Sequence, residues 1–108
     1  WTSSVRGDIH HLKSLRGASG NEQSGARFAV VLQSDDLPLS TLLVAPTSTS
    51  ARPRSFRPTI TVGSATTQVL VEQTAAVDPG RLGTLVGHLS RGELDQVDQA
   101  LRMAFELD

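Results

Sequence analysis

The 108-residue chain contains no cysteine, which excludes disulfides, thiolate metal sites and a thiol nucleophile and suits a reducing compartment. No run approaches the roughly 18 consecutive apolar residues of a membrane-spanning helix, and no charged-then-apolar leader opens the sequence. A soluble, cytoplasmic protein with no membrane partner is therefore expected. Excess charge is absent as well. With a formal net charge of −1, the chain lacks the global basic field of most nucleic-acid binders, so any polyanion must be met by a local patch. Aromatic residues amount to 4%. A single small domain with apolar strands and so few aromatics gains core by pairing with a second copy, which predicts a homodimer. Trp1 is given no role.

Catalytic signatures are missing too. There is no HExxH, no GxSxG elbow, no dinucleotide fingerprint and no glycine-rich loop followed by Lys and Ser or Thr. Of the three histidines, His10 and His11 are adjacent, so in a strand they face opposite sides. Neither a metal site nor a cofactor is expected. His88 reads as an ordinary strand-end residue.

What is present is a mainly β pattern. Residues 6–12 alternate as a short strand, 15–25 form a polar, glycine-containing loop, and 27–33 are a continuous apolar strand of the kind found at the centre of a sheet or barrel. After a turn at 34–40, a second buried strand within 41–50 is expected to stop at Pro46. The β-branched runs 56–63 and 66–74, split by Gly63 and Ser64, predict a hairpin. Residues 78–80 read as a turn and 82–89 as a last strand. Ser90 and Glu93 fit a capping box, and Leu94, Val97, Leu101, Ala104 and Phe105 recur at helical spacing behind it. The expectation is five or six antiparallel strands and one C-terminal α-helix.

Polar groups stand where the strands end. Arg27 opens one strand, Ser48 and Thr49 close the next, and Glu72 and Gln73 close a fourth. Strand ends on one side of a small barrel share a mouth, and an arginine fork with a hydroxyl suits a phosphate that gains negative charge. Two structural roles compete with this reading: Ser48 and Thr49 capping a turn, and Arg27 pairing with Glu22. A second basic stretch, residues 51–58, sets Arg52, Arg54 and Arg57 around Phe56. It reads either as a solvated loop or as a polyanion contact.

These residues resemble the MazF/PemK family of toxin endoribonucleases. The resemblance rests on RGDI at 6–9, GNEQSGARFAVVLQSD at 20–35, VAPTSTS at 44–50, VLVEQ at 69–73 and the closing strand and helix from Arg81, five blocks in unbroken order. It implies a small SH3-like antiparallel β-barrel, a homodimer, a cognate antitoxin partner, and metal-independent cleavage of single-stranded RNA leaving a 2′,3′-cyclic phosphate and a 5′-hydroxyl. By the same resemblance Arg27 is catalytic, the family's threonine role falls on Ser48 with Thr49 in reserve, and Gln73 contacts RNA. Arginine is a poor general base because its pKa lies above about 12, so His11 or a backbone carbonyl is left to take the 2′-hydroxyl proton. Glu22 is a candidate to hold Arg27 or its loop.

The sequence departs from the family at three places. Phe28 replaces a proline, His10 and His11 stand where an aromatic is usual, and serine replaces threonine at 48. The alternatives are a gyrase-poisoning, CcdB-like toxin and a catalytically weak module that binds RNA or antitoxin.

Overall fold

A computed structural model of the chain describes residues 5–13, 27–37 and 39–107. The loop expected at 15–25, with Glu22, lies outside the described residues, as does Trp1. Seven strands form an antiparallel sheet: β1 (Asp8–Leu12), β2 (Phe28–Val31), β3 (Leu42–Ser48), β4 (Thr59–Val62), β5 (Ala65–Val69), β6 (Ala75–Val77) and β7 (Leu82–His88). They run in the spatial order β4-β5-β3-β2-β1-β7, with β6 beside β3. The sheet curls into a half-barrel, and one C-terminal helix, α1 (Arg91–Phe105), packs over it.

All four residues of β2 are buried, because the sheet is covered on both sides there. Ile9, Phe28, Val30, Ala45 and Val69 join Ile60, Val71, Val97 and Ala100 in a core beneath α1. Successive side chains on a strand point to opposite faces, so Ala29, Val31 and Val44 gather in a second cluster with Leu12, Leu42, Val77 and Leu82. The first is the helix-side face and the second the far face.

The predicted hairpin and cap are present. Gly63, at φ +62°, and Ser64 join β4 to β5, and the positive φ is what a two-residue hairpin turn requires of its first central residue. Ser90 Oγ accepts the Glu93 N–H at 3.1 Å while Glu93 Oε1 accepts the Ser90 N–H at 2.9 Å. The helix extends to Phe105 as expected, but its apolar stripe does not. Val97 and Ala100 are buried, whereas Ala104 is exposed and Phe105 is 61% exposed. In the last turn Met103 Sδ accepts from Ser55 Oγ at 3.3 Å, while the Phe105 ring stays exposed.

Two strand predictions fail at one place. Strand β3 does not stop at Pro46 but runs through it to Ser48. On its second edge, β3 pairs with β6 through Leu42–Val44 and with β5 through Thr47 and Ser48. Pro46 falls in the gap, where its carbonyl accepts the Leu70 N–H at 2.9 Å and no ladder partner calls for the N–H it lacks. The gap exists because β5 ends at Val69 and residues Val71–Gln73 form a 3-10 turn. Glu72 and Gln73 therefore lie in that turn rather than at a strand end. The chain then re-extends as β6, which raises the count to seven.

Candidate active site

The pairing of β2 with β3 builds the site. Its register is Ala29 opposite Pro46, Val30 opposite Ala45 and Val31 opposite Val44, and continuing it two positions sets Arg27 opposite Ser48. Both flanking strands support that continuation. The Leu12 N–H donates to the Arg27 carbonyl at 3.0 Å, and Ser48 pairs with Gln68 on β5. Leu12, Arg27, Ser48 and Gln68 thus form one row across four strands on the far face, where directly opposed Cβ atoms lie about 4.5–5.5 Å apart.

Alternation decides which hydroxyl joins that row. Thr47 is buried on the helix-side face, and its Oγ1 accepts the Phe28 N–H at 3.3 Å. Ser48, half-buried, turns to the face of Arg27, and Thr49 is exposed beyond the strand end. The turn-capping role is also realised: Ser48 Oγ accepts the Ser50 N–H at 3.2 Å and lies 3.3 Å from Ser50 Oγ. The hydroxyl hydrogen can still be donated, either to Ser50 Oγ or to an anion. Arg27 is half-buried.

Gln68 was not singled out by sequence reasoning. Its Oε1 is buried without a partner among the described residues, and the row brings it, rather than Gln73, across from Ser48. Gln73 is exposed in the 3-10 turn. The one available signal was an amide inside the β-branched run 65–69, on the face opposite to Thr67 and Val69.

The two neighbouring histidines separate as alternation requires. His11 lies across from Phe28 on the helix-side face, with ring centroids 5.3 Å apart, so it does not share the face of Arg27 and Ser48. His10, across from Ala29, does. Phe28, in place of the family's proline, is 8% exposed and belongs to the core beneath α1.

The basic stretch is folded, not loose. Arg57 donates through Nε and Nη2 to Glu72 Oε2 at 2.9 and 2.7 Å, donates through Nη1 to the Arg52 carbonyl at 3.2 Å, and lies 5.5 Å from the Phe56 ring centroid. A further bond from Arg57 N–H to the Arg54 carbonyl closes a tight turn, and Phe56 packs against the core. Arg57 is thus committed to an ion pair, while Arg52 and Arg54 are exposed. Among the described residues, no group of three or more His, Asp or Glu side chains is arranged to hold a metal ion, and no helix is long and apolar enough to cross a membrane.

Residues 5–105 match the family described as the PemK-like, MazF-like toxin of type II toxin–antitoxin systems. The chain belongs to this family. A Mycobacterium tuberculosis protein named as a candidate toxin is 35% identical over 98 residues, which are 90% of this chain and 92% of that protein. Among solved structures, a mycobacterial endoribonuclease in complex with its cognate antitoxin superposes with a TM-score of 0.78 at 14% identity, covering 98% of both chains. The M. tuberculosis toxin MazF-mt6 does so with a TM-score of 0.74 at 21% identity, covering 94% of this chain and 98% of its own. The half-barrel with its C-terminal helix is therefore the fold of MazF-like toxins.

Proposed function

We propose that this toxin is an endoribonuclease that cleaves single-stranded RNA without a metal, with Arg27 and Ser48 as its catalytic residues. The observation that carries the reading is the β2–β3 register, which, continued two positions beyond the Ala29–Pro46 pair, brings Arg27 and Ser48 opposite each other. The ribose 2′-oxygen attacks the adjacent phosphorus, the bond to the 5′-oxygen breaks, and a 2′,3′-cyclic phosphate and a 5′-hydroxyl result. Negative charge grows on the non-bridging oxygens, where the planar guanidinium of Arg27 offers two parallel donors and Ser48 a third. Gln68 within the row and Gln73 in the 3-10 turn serve as RNA contacts, and the exposed Arg52 and Arg54 add phosphate contacts.

The family of this chain supports an antitoxin partner, and the solved relative bound to its cognate antitoxin supports a proteinaceous one. A homodimer acting in the cytoplasm completes the reading. Light scattering at micromolar concentration should give twice the 11.5 kDa chain mass.

Single-turnover cleavage of a long RNA, with and without EDTA, tests the activity. Cleavage that survives chelation and ends in cyclic phosphates is expected. Intact RNA together with cleaved DNA in a gyrase assay would replace this reading with that of a gyrase poison. RNA bound but never shortened would leave a binding module.

A further inference from the structure

Resting on the nuclease reading, a second group on the far face bears on the step that arginine performs poorly, removal of the 2′-hydroxyl proton. Strand β7 carries irregularities where it meets β1: the pairing jumps from Ile9–Gly87 to His10–Leu85 and then to Leu12–Leu82. Across the second jump one β1 residue faces two on β7, so a bulge frees a backbone carbonyl from the ladder. The Gly83 carbonyl is turned to His10 Nδ1 at 3.0 Å. A side chain at position 83 would crowd that strand, since an added Cβ would lie 3.2 Å from His11 Cβ.

A carbonyl can only accept, so Nδ1 carries the hydrogen and neutral His10 presents Nε2 with a free lone pair. That nitrogen is buried and has no partner among the described residues. Its place relative to the row follows from the register. His10 is opposite Ala29, two residues along the same face from Arg27, and such diagonal neighbours lie about 7–8 Å apart, within reach of long side chains. The charged and titratable groups around this face are Asp8 beside His10 on β1, His88 opposite Asp8 on β7, Arg27 on β2, and Arg81 just ahead of β7.

We infer that His10, held in its Nδ1–H tautomer by the Gly83 carbonyl, is the general base that accepts the 2′-hydroxyl proton at Nε2. As the bond from the 2′-oxygen to phosphorus forms, that proton passes to the imidazole. The bond from phosphorus to the 5′-oxygen breaks, the 5′-oxygen takes a proton from water, and the imidazolium returns its own to water, so no net proton is consumed. His11 takes no part, because it stacks on Phe28 across the sheet.

The test is the pH dependence of single-turnover cleavage by the wild type, His10→Asn and His11→Asn. Asparagine can still donate to Gly83 but offers no base at the Nε2 position. The wild type should show an acid limb of unit slope between about pH 5 and 8, the range in which histidine changes charge. His10→Asn should lose that limb and about 10²–10⁴-fold in rate, while His11→Asn retains the limb. Should His10→Asn misfold, NMR titration of the wild type decides. An oligonucleotide with a 2′-deoxyribose at the cleaved position should shift the His10 resonance and its titration midpoint more than those of His11 and His88. Wild-type cleavage with an acid limb preserved in folded His10→Asn, or a His10 titration unmoved by the bound oligonucleotide, would overturn the inference alone. A wild type that cleaves no RNA would overturn the nuclease reading, and this inference with it.

Discussion

The two faces of the sheet treat their polar groups differently. Where α1 begins, Glu93 Oε1 accepts from Ser90 and its Oε2 accepts the Thr61 N–H of edge strand β4 at 3.0 Å, so one carboxylate caps a helix and covers a sheet edge. At the middle of α1, Arg6 binds Asp98 at 2.6 Å, and it also donates to the Leu32 carbonyl at 2.9 Å. The far face is left incomplete. Of the four buried side-chain atoms without a partner among the described residues, His10 Nε2 and Gln68 Oε1 stand there near Arg27 and Ser48, while Thr67 Oγ1 lies on the helix-side face. An unmade buried hydrogen bond costs about 1–3 kcal/mol, so the difference teaches where a ligand is expected: the closed face secures the fold, and the open one has donors and acceptors to offer.

Perturbing the far face should change the cleavage rate more than the stability. The largest effect belongs to Arg27→Ala, with a loss of about 10²–10³ in single-turnover rate of the folded protein. Arg27→Lys should fail nearly as badly, because a point charge does not reproduce the planar fork. Wild-type rates in folded Arg27→Ala would erase the contrast between the faces. Ser48→Ala should cost less than Arg27→Ala, because Arg27 remains, and Ser48→Thr should retain or raise the rate, since the added methyl restricts the rotamer and keeps the hydroxyl. The same cleavage assay reads both.

The closed face should answer in the opposite sense. Glu93→Ala should lower unfolding free energy by about 1–2 kcal/mol through the lost cap and leave the cleavage rate of the folded fraction unchanged; denaturant melts compared with single-turnover rates check this. Its pH dependence has a defined sign. Partial burial pushes the Glu93 carboxyl up, but hydrogen bonds from the Ser90 and Thr61 N–H groups and the Ser90 side chain together hold it below the ordinary 4.5. The stabilisation is therefore complete above about pH 4.5 and is lost as pH falls through the lower folded-state value. Glu93→Gln should flatten that part of the acid denaturation curve. The smallest effect is expected from Arg52→Gln with Arg54→Gln, which should reduce the salt dependence of RNA affinity by about one log–log unit per lost phosphate contact. Adding Arg57→Gln should change that slope little, since Glu72 already neutralises Arg57, and should instead loosen the 52–58 turn.

Local signals account for the elements that were legible in the sequence. A run as apolar as 28–32 is buried in either direction of view, glycine is tolerated at a positive φ where Gly63 turns the hairpin, and Ser90 with Glu93 satisfies helix-end N–H groups within four residues. Strand-end position singled out Arg27 and Ser48, family resemblance added their expected catalytic roles, and alternation alone sufficed to part His10 from His11. Which of the two shares a face with Arg27 was decided by the pairing of β1 with β2, because register is a relation between distant segments. The same holds for Pro46, which breaks a strand only if a ladder needs its N–H; the 3-10 turn at Val71–Gln73 removed that need. Gln68 likewise became part of the row only through β3–β5 pairing, and Arg57 lost its availability to a ligand only because the fold brought Glu72 to it. Sequence by itself determined most of the strands, the hairpin, the cap and the kinds of group near the strand ends, since each depends on neighbours along the chain. Tertiary structure alone decided which of those groups stand together, since that depends on contacts between residues far apart in sequence.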